Sequence, residues 1–340
     1  MFQTLSEGAA KAAIDSQQTY DALRDAQLKA ASFKGGMHWK TVGGKEYLYR
    51  TLDGKGTAKS LGARSDETQA ILHAFTQGKQ TAEARVRELG AKMTERSRVA
   101  RALRAGSAPR LLADICERLT KIGWMGRNIV VIGTNALYAY EALAGVRFDS
   151  DITATSDIDL LWKHHSKLTM VADEAQSAQD AAAGLLGLLK KTDKTFELMD
   201  KQRFRAVNSA GYMVDLIRQM PRPPWKSEPA QIGGTDDFVA TDLTHMDWML
   251  SAPKLRQTVL AQDGRAFEMT VPDPRSFMLF KEWLAQQDER QPIKKGRDAS
   301  QSKIMRQLLI DYLPQYPLDW AQFKSFPKSL TEGAATGSSI

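Results

Sequence analysis

Cysteine is almost missing from this chain: Cys116 stands alone among 340 residues. That excludes a disulfide framework and a thiolate metal site. Cys116 falls in LLADICERL in phase with Leu112 and Leu119, which is the place of a small buried residue on a helix. Long apolar runs are also lacking. None approaches the roughly 18 residues of a membrane-crossing helix, and MFQTLSEGAAKAAIDSQ has neither the basic start nor the apolar centre of an export signal. The expectation is a cytoplasmic protein with no membrane partner. The histidines His38, His73, His164, His165 and His245 show no zinc spacing with another ligand and read as structural. A Walker loop is missing too: GKGTAKS carries Ala58 where a glycine must precede the lysine, and no apolar strand leads into it. Trp124, Trp162, Trp248, Trp283 and Trp320 read as core residues, since no aromatic platform interleaved with basic residues stands out.

What is present is an ordinary soluble composition, 42% hydrophobic and 26% charged, in a chain long enough for two or three domains. A net charge of +7 favours an anionic partner, so the placement of the charge matters. Residues 4 to about 32 suggest an outer helix with Ala13, Tyr20, Leu23 and Leu28 on one face. MHWKTVGGKEYLYRTL suggests a small hairpin turning at Gly43-Gly44. A long helix is expected from Asp66 to about Ala105, capped by Ser65 or Asp66.

The second half of that helix is basic. Lys79, Arg85, Arg87, Lys92, Arg96, Arg98, Arg101, Arg104 and Arg110 face only Glu83, Glu88 and Glu95. Two readings stay open: a solvated face laced with i,i+4 pairs such as Glu83 with Arg87, or a surface from Arg85 to Arg110 for the phosphates of RNA or tRNA. Gly106-Ser107-Ala108-Pro109 then breaks the pattern and marks a boundary.

The informative stretch is NIVVIGTNALYAYEALAGVRFDSDITATSDIDLLW, Asn128 to Trp162. A β-branched run reaches Gly133-Thr134 and a helical segment follows. Such a junction presents free backbone N–H groups and a positive dipole end, a ready phosphate site. In SDIDLLW the strand period of two sets Asp157 and Asp159 on one face, with Cα atoms about 7 Å apart. Two such carboxylates repel unless a cation lies between them or both face solvent on an edge strand. Magnesium suits the first case, because it takes one or two carboxylates and shares substrate phosphates. GYMVDLI carries a third strand carboxylate, Asp215, which needs a partner where it interrupts an apolar run.

Together, Gly133-Thr134 at a helix start, the Asp157-Ile158-Asp159 strand and the later Asp215 resemble the DNA polymerase β-type nucleotidyltransferase superfamily. The gap from Gly133 to Asp157 is longer than usual there, so VRFDSDITAT is expected to form an insertion or extra strand. VPDPRSFMLFKEWLAQQDERQPIKKGRDASQ is similar to a largely uncharacterised bacterial nucleotidyltransferase-like family. The resemblance implies that Gly133 and Thr134 hold the triphosphate, and that Asp157, Asp159 and Asp215 are catalytic and hold magnesium or manganese. It also raises Lys281 and Arg297 as cations that reach the phosphates, against the alternative that Lys281 is a surface residue paired with nothing in the site. Asp298 is expected to orient this basic cluster, which also holds Arg290, Lys294, Lys295 and Lys303.

The fold class expected is α+β, a mixed-sheet nucleotidyltransferase-like core flanked by helices. Residues 1–106 form an N-terminal helical region with a small hairpin, 107–225 the core, 226–330 a C-terminal hairpin and helical subdomain, and 331–340 a disordered tail. The function expected is metal-dependent transfer of a nucleoside monophosphate from a triphosphate, ATP included, to an acceptor hydroxyl, with RNA or tRNA the favoured acceptor. Nucleotidylation of a protein, as a toxin or regulator, and an inactive RNA-binding module on the same fold are the alternatives.

Overall fold

The computed structural model describes residues 2–51, 57–163, 183–234, 236–320 and 323–336. Its strands are β1 (Phe2–Thr4), β2 (Gly36–Val42), β3 (Lys45–Thr51), β4 (Ala58–Ala63), β5 (Ile129–Ile132), β6 (Val146–Phe148), β7 (Asp157–Trp162), β8 (Glu197–Met199), β9 (Gln202–Val207), β10 (Met213–Gln219), β11 (Thr241–Leu243), β12 (Lys254–Leu260) and β13 (Ala266–Pro272). Its α-helices are α1 (Glu7–Ala31), α2 (Asp66–Ala102), α3 (Arg110–Lys121), α4 (Leu137–Ala144), α5 (Ser150–Thr153), α6 (Gly184–Thr192), α7 (Met246–Ser251), α8 (Pro274–Gln286), α9 (Pro292–Tyr312) and α10 (Lys328–Thr336). The α+β class is as expected. Among the described residues no helix is long and apolar enough to cross a membrane.

The central sheet runs β5-β7-β10-β9-β8, with β11 also pairing β10. β7 and β10 are parallel, which demands a crossover between them, and β9 and β10 are a hairpin. β10 therefore has β9 beside its first half and β11 beside its second. Its polar cross-strand pairs fall accordingly: Asp215 opposite Arg205 on β9, and buried Arg218 opposite Asp242 on β11, the two forming an ion pair. Ile158, Leu160 and Trp162 turn into the core from β7, as the period of two requires.

The buried apolar residues from Ala108 to Leu330 make one continuous core. It runs across the boundary expected near residue 225, because β12, β13 and α8 contribute Val259, Phe267 and Phe277 to the same cluster as β5 and β7. The stretch 106–109 is also no free linker: Ala108 accepts from the Gln262 amide at 2.8 Å and donates to Leu260 at 3.3 Å. The long gap after Gly133 holds an extra strand, β6, whose partner is β1 at the chain's start, followed by α5.

The tail departs from expectation. Rather than being disordered from Thr331, the chain forms α10 as far as Thr336, because Leu330 is buried and joins Phe323 and Phe326 in the core. Residues 337–340 lie outside the described residues, as do His164 and His165. His245 sits against the rings of Trp248 and Trp283, consistent with a structural role. Cys116 is buried and free.

α1 and α2 lie against each other at the chain's N-terminal side. Their shared face is made of small residues: Ala9, Ala12, Ser16, Thr19 and Ala26 on α1, and Ala82, Leu89 and Ala100 on α2. Leu28, expected on the inner face of α1, is 60% exposed. Helices meeting through alanine approach closely, so the face is set by small side chains, which a search for large apolar spacing passes over. Ser65 caps α2 as expected, in a full capping box with Thr68. The basal end of the pair docks on the β12–β13 hairpin, where Gly264, at φ +85°, lets the turn press against the Ser97 and Arg101 backbone.

One buried acid was not foreseen. Glu141 of α4 accepts from the Phe148 amide at 2.6 Å and from the Ser107 hydroxyl, so it ties α4 to β6 and to the start of α3. Burial, the largest influence, pushes its carboxyl up to about 7, against those two hydrogen bonds and Arg147, which lower it. The folded value lies above the unfolded one, so the folded state keeps a proton that the unfolded state releases. This group's contribution to stability is complete below the unfolded value and is lost as pH rises to about 7. Thermal unfolding at about pH 5 and about pH 7.5 should therefore show a smaller loss for Glu141→Gln than for the wild type. Equal losses would mean that Glu141 does not carry this dependence.

Candidate active site

β5 ends at Ile132, and Gly133 then takes φ +65° and opens a short 3-10 turn, Gly133–Ala136, which runs into α4. Only glycine serves here. A Cβ at 133 would overlap Oδ2 of Asp159, so the missing side chain is what lets the carboxylate lie against the turn. Thr134 is buried, and its hydroxyl accepts from Gln301 Nε2 of α9 at 3.2 Å. Asn135 fixes the turn to β7 by donating to the Asp157 carbonyl at 2.5 Å.

Asp157 and Asp159 project from β7 on the face that Asp215 shares from β10. Register places Asp215 directly opposite Asp159. The crowding shows in Asp159, whose carboxyl is pushed up to about 7 by desolvation first, then by Asp157 and Asp215, with Lys281 and Arg205 opposing. Asp157 accepts from Thr155. Asp215 is buried and lies in a bidentate pair with Arg205, at 2.6 Å to Nε and 2.5 Å to Nη2.

Across the cleft stand the cations of α8 and α9. Lys281 is buried; Nζ donates to Asp298 at 2.7 Å and lies 5.6 Å from the centre of the Phe277 ring. Burial lowers the Lys281 pKa, with Asp298 and Asp159 opposing. Asp298 also accepts from Arg290 at 2.9 Å, and so orients two cations. Arg297 donates to the Ala154 carbonyl. These residues enclose a cavity of about 250 Å³ that every site residue expected from sequence lines: Gly133, Thr134, Asp157, Asp159, Asp215, Lys281 and Arg297. Lys281 is thereby placed in the cleft and not on the outer surface.

Sequence reasoning passed over three other parts of this cleft. Arg205 has a signal only in hindsight: RFRAVNSAGYMVD is a hairpin, and folding it at Asn208–Gly211 brings Arg205 opposite Asp215. Lys294 and Arg290 were seen as a basic cluster but not as cleft lining. The third part is an apolar wall of Ile217, Leu243, Met246, Met249, Phe280 and Leu284, assembled from four separate elements.

The donors suit a hard divalent cation, since all are carboxylates set close together on one face. Among the described residues no three acidic, histidine or cysteine side chains are set to grip a metal as they stand, Asp215 being turned onto Arg205. Asp157 and Asp159, with Asp215 where Arg205 gives way, are the residues that would hold such an ion.

A glycine turn at a helix start, paired carboxylates on one strand with a third on its parallel neighbour, and a cationic opposite wall define a class of phosphoryl-handling transferase site. A family model described as nucleotidyltransferase matches residues 110–324, and the chain belongs to that family. No curated protein and no solved structure matches the chain. General nucleotidyltransferase activity follows from the family, and the matched segment contains all of the cleft residues described above.

Arg205 holds the Asp215 carboxylate that a divalent cation in the cleft would draw on. In chelator, Arg205→Gln should lower the melting temperature, by an amount corresponding to about 1–3 kcal/mol, since it leaves a buried carboxylate without its hydrogen-bond donors. Adding magnesium should raise the melting temperature of Arg205→Gln more than that of the wild type. An equal rise in both would show that Arg205 and the cation do not share a carboxylate.

Proposed function

We propose that the protein transfers a nucleoside monophosphate from a nucleoside triphosphate to an acceptor hydroxyl, and that the favoured acceptor is RNA. The observation that carries this reading is the register of β7 and β10, which sets three carboxylates against a glycine turn and a wall of lysine and arginine. Polyphosphate and carboxylate both being anionic, such an arrangement is useful only where a cation and the basic side chains share their charge.

In this reading Asp157 and Asp159 would hold magnesium or manganese, which supplies charge neutralisation at the phosphates and lowers the pKa of the acceptor hydroxyl. The backbone amides at Gly133 and Thr134 bind the terminal phosphates. Lys281, kept in place by Asp298, and Arg290, Lys294 and Arg297 balance the charge that gathers on the leaving pyrophosphate. The acceptor oxygen forms a bond to the α-phosphorus as the bond from that phosphorus to pyrophosphate breaks. Asp215 is the carboxylate placed to take the hydroxyl proton once Arg205 releases it. The apolar wall of Met246, Met249 and Leu284 offers the base a surface without hydrogen-bond partners, which favours size over edge recognition.

The test is incubation of the full chain with each α-labelled triphosphate, magnesium, and the RNA and protein fractions of a cell lysate. Label should enter RNA. Asp157→Asn should reduce it about a hundredfold or more, since several kcal/mol of electrostatic stabilisation are at stake. Label in protein alone would move the acceptor to a protein hydroxyl, and transfer unchanged by Asp157→Asn would overturn the assignment of the cleft.

A further inference from the structure

The segment before Arg110 lies outside the family match, and at its tip is a three-stranded antiparallel sheet, β2-β3-β4. One face of this sheet packs on α2. Leu48 is fully buried there, Arg50 lies 4.2 Å from the centre of the Phe75 ring, and Arg64 lies over Trp39 and pairs with Glu46. The registers assign the other face unambiguously. His38, Tyr49 and Ser60 form one cross-strand row, Lys40, Tyr47 and Ala63 the next, and Val42 faces Lys45 beyond them. His38, Lys40, Val42 and Lys45 are exposed, and Tyr47 and Tyr49 are half-exposed.

Three features of this face point one way. The His38 and Tyr49 rings are stacked, 6.4 Å between centres and 23° between planes, and Lys40 Nζ lies 5.6 Å from the centre of the Tyr49 ring. Flat π-surfaces and cations thus alternate across neighbouring strands. Among the described residues of β2, β3 and β4 the single carboxylate, Glu46, is on the helix side and engaged by Arg64, so the open face carries cations and no acid. Further along α2, beyond the acidic first turn of Asp66 and Glu67, exposed Arg87, Lys92, Arg98 and Arg101 alternate with exposed Glu83, Glu88 and Glu95.

We propose that the open face of β2-β3-β4 is a binding surface for unpaired RNA, with bases stacking on Tyr47, Tyr49 and His38 and phosphates meeting Lys40 and Lys45. Charge complementarity selects a polyanion, and the exposed rings select one whose bases are free to stack, which duplexes do not offer. Loops and ends with splayed bases are the usual form of folded RNA, and this favours RNA over DNA as the occupant. The surface names the acceptor class of the transfer reading and rests on it for that role only, because binding needs neither triphosphate nor metal.

The experiment is fluorescence anisotropy of the full chain in chelator, without nucleotide, using single-stranded RNA of about 16 nucleotides, the matching duplex RNA and single-stranded DNA of the same sequence. The wild type should bind the single-stranded RNA at least tenfold more tightly than the duplex. Tyr47→Ala with Tyr49→Ala should weaken it at least tenfold, while Tyr47→Phe with Tyr49→Phe, which keeps the rings, binds as the wild type does. Lys40→Glu with Lys45→Glu leaves the rings in place and should lower the slope of log affinity against log salt by roughly two. Unchanged affinity in both the Ala and Glu variants, duplex preferred over single strand, or DNA bound as tightly as RNA would each overturn the proposal. Asp157→Asn should bind this RNA normally, so a failure of the transfer reading leaves the binding result intact.

Discussion

Three carboxylates on one face of two adjacent parallel strands is the arrangement to which the rest of the core answers. Left alone, such a cluster repels itself, and partial desolvation makes the repulsion stronger. The fold meets that in layers. Arg205 neutralises Asp215 from the next strand, Lys281 faces Asp159 from α8, and Gly133 removes the atom that would keep the turn away from Asp159. Asp159 still carries the residue of the strain in a carboxyl pushed up to about 7. In the function proposed above, a divalent cation would relieve that crowding.

The cations are themselves held by design of the same kind. Lys281 is buried, and a buried ammonium without a partner is costly, so Asp298 must stay near it. Asp298 in turn accepts from Arg290, which leaves one carboxylate shared between two cations and the cleft wall with a net positive charge. Such a network holds its cations at fixed positions at little further entropic cost when an anion arrives. The two walls of the cleft therefore differ in sign while each is internally braced.

What the sequence made legible follows from range. Asp157 and Asp159 are visible because a strand's period of two is local, and Gly133 because a strand-turn-helix junction is local. Asp215 stood out as a charge in an apolar run, a local anomaly with a non-local cause. Arg205 could not be read in the same way, since its meaning depends on which residue a hairpin places opposite it. The apolar wall depends on four elements meeting and has no local pattern at all. Glu141 carries no local signal, because helical spacing does not reveal that β6, held by the distant β1, supplies the amide it accepts from. On the arm the error had another source. The spacing of Tyr20, Leu23 and Leu28 points to one face of α1, yet alanine, serine and threonine mark the buried one, because small side chains let the two long helices dock closely.

The tip sheet bears on how the two parts of the molecule divide their work. Its β2-β3 turn was legible from Gly43-Gly44, both at positive φ, but the character of its open face was not, since Lys40, Tyr47 and Tyr49 become neighbours only through cross-strand register. A sheet this small gains its stability from the helix it covers, and Leu48, Trp39 and the Arg50–Phe75 contact provide that on one side. The other side adds less, through cross-strand pairs such as His38 with Tyr49. Aromatic rings there, with cations between them and the acid turned away, also suit the stacking proposed above. α2 is about 55 Å long at ~1.5 Å per residue, and its exposed arginines, Arg85, Arg87, Arg98 and Arg101, lie in the half away from the sheet. A partner that touched both the tip and the core would be a long polyanion with unpaired stretches, and the features of the arm are those that such a partner would require.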